Sequence, residues 1–380
     1  MKHVYWLLTL GLVCASVGCA PADLSAPTAS LTVATATSIL PSPTATPAPS
    51  QTAAPSPTAM PTPSPTPFPL PTTIASAPLA SARVLAPFQL AWSPTGERIA
   101  ITTANGLYLF EADDLSEVAF TQTARSLRFL SFSPNGQRVA TDDGGNYQVW
   151  DSATGQLLEE HLVTFNEITA LTYDQTGKLY IAQRGGAGES GDDIDVDIYF
   201  GEQSTSVGFI ANSFGLGAMA ISPDGMTVAV PNFEGIEIWG LPYRGLLYTI
   251  DKIVTFELSY SADGKRLVAA GEDGKRLGVE GEDCKIHVVD VPTGQVLQTF
   301  TWCTQRPIAH LGLALSHNGK LVAANNATGA IQIWNADTGN VRQTIPVAVS
   351  TLNSLAFNPD GTKLASVSEG GTLQVWTVQP

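Results

Sequence analysis

Four cysteines, five histidines and one run of alternating aspartates are the side chains whose types and spacing bear on chemistry in this 380-residue chain. Cys14 and Cys19 fall in the apolar N-terminal segment, which leaves Cys284 and Cys303 as a pair. Cys284 opens the segment Lys285–Asp290, Val291-Pro292-Thr293-Gly294 supplies a turn, and Cys303 follows the returning segment Gln295–Trp302. Partners in an antiparallel hairpin keep a constant index sum. Asp290 with Gln295 gives 585 and the cysteines give 587, so the thiols are expected almost opposite each other and joined as a disulfide, the alternative being two buried free thiols.

Asp193, Asp195 and Asp197 alternate with Ile194, Val196 and Ile198, placing three carboxylates on one strand face. Calcium takes such oxygens, but no glycine-closed ligand loop accompanies them, and a solvated acidic edge that discourages strand pairing is the preferred reading. His161, His287, His310 and His317 lie in different elements without metal-ligand spacing. A literal G-x-G-x-x-G at Gly186–Gly191 falls in a hairpin loop, without the strand and helix that would aim amides at a phosphate. G-x-S-x-G, P-loop and H-E-x-x-H signatures are absent, so the chain is expected to be a non-enzyme without a cofactor.

The elements that must position these residues come from repetition. A phrase of alternating apolar residues, a glycine turn and a second apolar stretch recurs seven times, as in LAWSPTGERIAI from Leu90, LSFSPNGQRVAT from Leu130, MAISPDGMTVAV from Met219 and LAFNPDGTKLAS from Leu355. The turn glycines are Gly96, Gly136, Gly177, Gly225, Gly264, Gly319 and Gly361, spaced 39 to 55 residues apart, in the range of four-stranded propeller blades. Period-two alternation around Pro-Asp-Gly or Pro-Asn-Gly makes each phrase a β-hairpin. A second hairpin follows, clearest in YQVWDSATGQLL from Tyr147 and IQIWNADTGNVRQTI from Ile331.

At these residues the chain resembles the WD-repeat family over about residues 80–380. Trp150-Asp151 and Trp334-Asn335 stand where the family has its Trp-Asp pair, Trp239 and Trp376 also fill the Trp position, and Phe110, Tyr199 and Val289 replace it elsewhere. No Gly-His dipeptide precedes the units, and Gly144, Thr328 and Gly370 stand at the usual Asp position. The family's His-to-Trp polar network is therefore expected to be missing and cohesion to come chiefly from apolar packing. The resemblance implies an all-β, seven-bladed β-propeller, with blades near 88–124, 125–163, 165–214, 215–251, 253–302, 307–347 and 349–380. The last repeat supplies only three strands, so residues 79–85 are expected to close the ring by pairing with the strand around Leu373–Thr377, which removes an exposed sheet edge.

Upstream, Lys2 and His3 precede the apolar run Val4–Val17, a signal h-region too short to span a membrane comfortably, and residues 1–20 are expected to direct export. Ser16-Val17-Gly18-Cys19-Ala20 resembles a bacterial lipobox, with Ser16 where that family usually has Leu. Lipidation of Cys19 is the favoured outcome, against cleavage near Ala20 or an uncleaved anchor. Half of the 26 prolines lie between Pro41 and Pro78, so residues 21–78 are expected to form a disordered Pro/Thr-rich stalk before a domain at 79–380. At ~3.1 Å per extended residue, such a stalk reaches on the order of 100 Å. The formal charge of −15 and scattered Lys and Arg argue against nucleic acid.

The expected function is a surface-tethered scaffold binding a protein, peptide or envelope component, extracytoplasmic at the cell surface or in the periplasm, with a monomeric propeller. The alternative is a propeller enzyme or calcium-dependent binder acting at the central funnel. Two repeats exceed the common period, gaining length in the loops Gln183–Asp192 and Gly271–Asp283. Between them Pro231–Gly235 is short, so two walls beside a low floor should form a cleft. Phe233 and Phe214 would supply apolar contact, Glu189, Asp192 and Asp193 polar anchors on one wall, and Lys275 and Arg276 on the other. Trp302 and Arg306 should lie beyond the second wall.

Overall fold

The computed structural model describes residues 77–162, 167–184, 194–200, 203–210, 219–231, 235–241, 245–251, 253–273, 284–303, 312–326, 329–347 and 352–379. The expected signal, Cys19 and the expected stalk lie outside them. Among the described residues every regular element is a β-strand, and the strands form seven four-stranded antiparallel sheets. Six sheets use four consecutive strands. The seventh joins Leu352–Phe357, Lys363–Ser368 and Thr372–Thr377 to Ala80–Arg83, with Ala80 opposite Val375 and Arg83 opposite Thr372.

The innermost strands are Pro87–Trp92, Leu130–Phe132, Glu167–Tyr173, Ala220–Ile221, Ile253–Tyr260, Leu313–Leu315 and Leu352–Phe357. Each touches the next, and the seventh touches the first. Every sheet is thus covered on both faces, which is why its middle strands are apolar on both sides instead of alternating. Leu321–Asn325, for example, is buried at all five positions. The core divides into seven clusters, one at each seam between neighbouring sheets. At the seam of the seventh sheet and the first, Val84, Leu373 and Val375 pack with Leu90, Ile99, Ile101 and Phe110. Full burial of side chains such as Ile99 and Ile101 contributes about 1.5–3 kcal/mol each.

The recurring Ser-x-Asp/Asn-Gly of the hairpins has a hydrogen-bonding cause. Ser133 Oγ accepts the Arg138 N–H at 2.9 Å and donates to Asn135 Oδ1 at 2.7 Å. Ser222 does the same with Thr227 and Asp224, Ser261 with Arg266 and Asp263, and Ser316 with Leu321 and Asn318. Asp174 and Asn358 fill the serine's place in the third and seventh sheets, accepting from the Lys178 and Lys363 N–H groups. Gly136, at φ +72°, closes the turn in a backbone region where a side chain would be strained.

Polar contacts of the indoles add to the apolar packing at the seams. Trp150 Nε1 donates to Thr141 Oγ1 at 2.8 Å and Trp376 Nε1 to Ser366 Oγ at 2.9 Å. Trp92 Nε1 crosses a seam to the Ala356 carbonyl at 3.0 Å. For Trp150 and Trp376 a hydroxyl on the neighbouring strand thus satisfies the indole in place of the family's longer network. Ion pairs also cross seams, Arg266 to Asp337 and Lys363 to Asp113.

Candidate functional site

The two ends of the ring differ. At one end the hairpins joining first and second strands touch their neighbours: the Gln175 N–H donates to the Pro223 carbonyl at 2.8 Å, and Ala262 to His317 at 3.1 Å. Antiparallel order then places every second-to-third-strand turn, and every connection between sheets, at the opposite end. On that end lie the strand termini Arg184 and Ile194 of the third sheet, Pro231 and Gly235 of the fourth, and Asp273 and Cys284 of the fifth. These are the attachment points of the two long segments and the short one between them, and all three share a face in adjacent sheets.

The side chains expected to form the cleft are another matter. Phe214, Phe233, Glu189, Asp192, Asp193, Lys275, Arg276 and Arg306 lie outside the described residues. Trp302 is placed only through its backbone, in the strand Gln295–Cys303. Of the three aspartates, Asp195 and Asp197 occupy alternate positions of Ile194–Phe200, opposite Gln183 and Ile181, and Asp193 is outside the description. Among the described residues no group of three or more His, Cys, Asp or Glu is arranged to hold a metal.

Cys284 and Cys303 are register partners in the hairpin of the fifth sheet. The pairing runs from Asp290 with Gln295 through two one-residue register shifts, at Val288/Val289 and at Cys284/Lys285, which together supply the two-residue offset between the cysteines and the turn.

The same face carries a cluster that the sequence did not reveal. Asp142, at the end of Arg138–Asp142, is fully buried. Its carboxylate accepts the Phe129 N–H at 2.8 Å, the Gly144 N–H at 3.0 Å and Arg128 Nη2 at 3.1 Å. Arg128 belongs to the connection between the first and second sheets and also donates to the Ile168 carbonyl at 3.1 Å, tying three successive sheets together. Burial raises the Asp142 pKa, against the lowering effect of the Phe129 amide and of Arg128.

At the axis, two cavities of about 240 and 270 Å³ share Gln89, Leu258 and Ser259 and together border the innermost strands of all seven sheets. A girdle of side-chain-to-backbone bonds links those strands. Gln89 Oε1 accepts the Leu130 N–H at 3.0 Å, Ser131 Oγ that of Tyr173 at 3.0 Å, and Ser354 Oγ that of Leu90 at 3.2 Å. Between the fifth and sixth sheets the acceptor is Glu257, whose carboxyl takes the Leu313 N–H. Burial pushes its pKa up to about 8, outweighing that hydrogen bond.

Comparison with known proteins agrees with this architecture. Residues 339–377 match the family described as "WD domain, G-beta repeat". The chain is similar to Autophagy-related protein 16 of Arabidopsis thaliana, 22% identical over 264 residues that cover 64% of this chain and 45% of the relative. It is 31% identical over 90 residues to WD repeat domain phosphoinositide-interacting protein 1 of Xenopus laevis, covering 23% of this chain and 21% of that protein. It is 26% identical to Target of rapamycin complex subunit LST8 of Mus musculus over 170 residues, or 42% and 47% of the two chains. The matches thus span less than half the length of these relatives. Among solved structures, the β-propeller domain of Cps50 (Swd1) from Myceliophteria thermophila superposes with a TM-score of 0.64, at 15% identity over 80% of this chain and all of that one, a likeness of fold.

Proposed function

We propose that the chain is a binding scaffold: a seven-bladed WD-type ring, completed by its N-terminal strand, that captures a protein or peptide in a cleft on the loop-bearing face. The observation that carries this reading is that the strand ends Arg184 and Ile194, and Asp273 and Cys284, which bracket the two long segments, lie on one face, in sheets separated only by the short-turned fourth; residues 183–184 and 271–273, expected in the loops, belong to the strands. Loops vary freely on a rigid sheet framework, so added length on one face is where recognition is cheapest to build. Phe233 and Phe214 would form the apolar floor, and Lys275, Arg276, Glu189, Asp192 and Asp193 the polar anchors, with Trp302 and Arg306 at the rim. Similarity to LST8, which is a subunit of a complex, supports a protein partner over a small molecule. The formal charge of −15 disfavours a polyanionic one. Export, lipidation at Cys19 and a stalk over 21–78 would place the domain outside the cytoplasm at a membrane surface.

Shortening both loops to the length of Pro231–Gly235 is expected to leave thermal unfolding unchanged within a few degrees and to reduce capture of an envelope protein at least tenfold. Unchanged capture by a folded variant would sink the cleft.

In an exported protein the Cys284–Cys303 register also favours a disulfide, because Cα partners in a ladder sit about 4.5–5.5 Å apart, within the range a disulfide spans. Such a bridge closes a loop of about twenty residues and is worth roughly 3 kcal/mol. Denaturing the exported chain without reductant should expose neither thiol to alkylation. Full labelling of both would remove the bridge.

A further inference from the structure

In the axial channel the position of Glu257 is chemically out of place. Its counterparts in the girdle are neutral: Gln89, Ser131 and Ser354 each accept one backbone N–H from the next sheet. Glu257, itself half-buried, performs the same task for Leu313, and a glutamine would serve it equally well without placing an ionisable group in the channel wall. The carboxyl belongs to the wall of the 240 Å³ cavity, where Gln89, Ser259 and Ser354 add polar atoms and Leu315, Leu355 and Phe357 are among the apolar ones. It is the only titratable group among the described residues lining that cavity. Tyr173 and Tyr260 line the adjoining one, and burial raises the pKa of both phenols, keeping them neutral. Among the described lining residues of either cavity no cation balances a carboxylate at Glu257.

We infer that the axial channel is a binding site for a small primary ammonium ion, with Glu257 as its counter-ion and the polar side chains of Gln89, Ser259 and Ser354 beside it. A guest of a few heavy atoms fits within the 240 Å³ of this cavity. A compact cation with three N–H donors suits a wall that offers one carboxyl and several neutral oxygens. Without the guest the carboxyl is mostly protonated at neutral pH, since burial penalises the charged form. Binding then exchanges cations: the carboxylic acid releases its proton to solvent, and the carboxylate left behind pairs with the ammonium. This site is independent of the loop-face cleft, and either can fail without the other.

The test is calorimetric titration of the full chain with n-butylammonium at pH 6, 7, 8 and 9, each in two buffers of different ionisation enthalpy, with n-butanol as the uncharged control. Affinity should rise about tenfold between pH 6 and 7 and level off above pH 8, with close to one proton released per ligand at pH 6 and nearly none at pH 9. n-Butanol should not compete. Glu257→Gln, which keeps the acceptor for Leu313, should lose binding and proton release while its unfolding stays cooperative. Absence of binding at pH 9, affinity independent of pH, or full binding by Glu257→Gln would each overturn the site. The proton count on the wild-type chain decides the matter even if the variant does not fold.

Discussion

Removing residues 1–85 is expected to leave a domain that unfolds many degrees lower or aggregates, whereas removing residues 1–76 should leave unfolding unchanged. The strand Ala80–Arg83 is the fourth of the seventh sheet, and its register is extended by Leu79 N–H to the Val375 carbonyl at 2.7 Å and Val84 N–H to the Gly371 carbonyl at 2.8 Å. At Gly371, φ is +78° and a Cβ would fall 2.0 Å from the Val84 carbonyl oxygen, so only glycine allows the strand to approach. Deletion removes those bonds, worth about 1 kcal/mol each, and the buried Val84 side chain, worth about 2 more. Even after the ordering entropy of the strand is returned, a net loss of at least about 3 kcal/mol is expected. It also bares the edge of Thr372–Thr377 to other chains. Urea denaturation and light scattering of the two truncations give the answer. Equal stability would show that the N-terminal strand is dispensable.

Arg128→Ala is expected to cost about 2–3 kcal/mol at pH 7, far more than loss of an exposed arginine. The variant strands a fully buried carboxylate with only the amides of Phe129 and Gly144 as partners. The Arg128 side chain is 35% exposed and partly screened by solvent, which keeps the cost below that of breaking a fully buried pair. Its pH dependence has a definite sign. Burial already raises the Asp142 pKa with Arg128 present, and without the arginine it rises further. A raised folded-state pKa means that stability is fully present below the unfolded value and is lost as pH climbs through the folded one. The deficit of the variant should therefore be largest at neutral pH and shrink toward pH 4, and Arg128→Ala combined with Asp142→Asn should recover part of it. A deficit equal at pH 7 and pH 5 would assign the effect to packing instead of charge.

Much of the fold can be read from local chemistry. The hairpin turns are set within a few residues of chain, by Ser133 reaching Asn135 and the amide of Arg138, and the sequence shows them plainly. The Cys284–Cys303 pairing is nearly as legible: counting from the turn misses by two, and each register shift supplies one residue. Arg128 and Asp142 escape notice because their partnership forms between a sheet and a connection, and nothing near either residue marks the other. Glu257 is hidden differently. In the inner strand it sits beside a register shift at Thr255/Glu257, so simple alternation does not tell which way a side chain faces, and its role appears only once Leu313 of the next sheet is alongside. Thr141 and Ser366 escape notice as indole acceptors for a similar reason, since the motif points to a histidine and these hydroxyls stand on the neighbouring strand.

The order in which the chain is made meets the shape it must take at the seventh sheet. Ala80 pairs with Val375, nearly three hundred residues later, so this sheet must wait until the seventh repeat has been made. By loop-closure entropy, joining ends nearly three hundred residues apart costs roughly 2 kcal/mol more than closing a forty-residue unit. Six sheets can assemble from consecutive strands while the first strand remains unpartnered. A chain interrupted anywhere before Thr372 keeps its first strand with no mate, whatever its earlier sheets have achieved. Pairing of that strand thus reports that the seventh sheet has formed, and an exposed edge gives a protease or chaperone a means of telling open rings from closed ones.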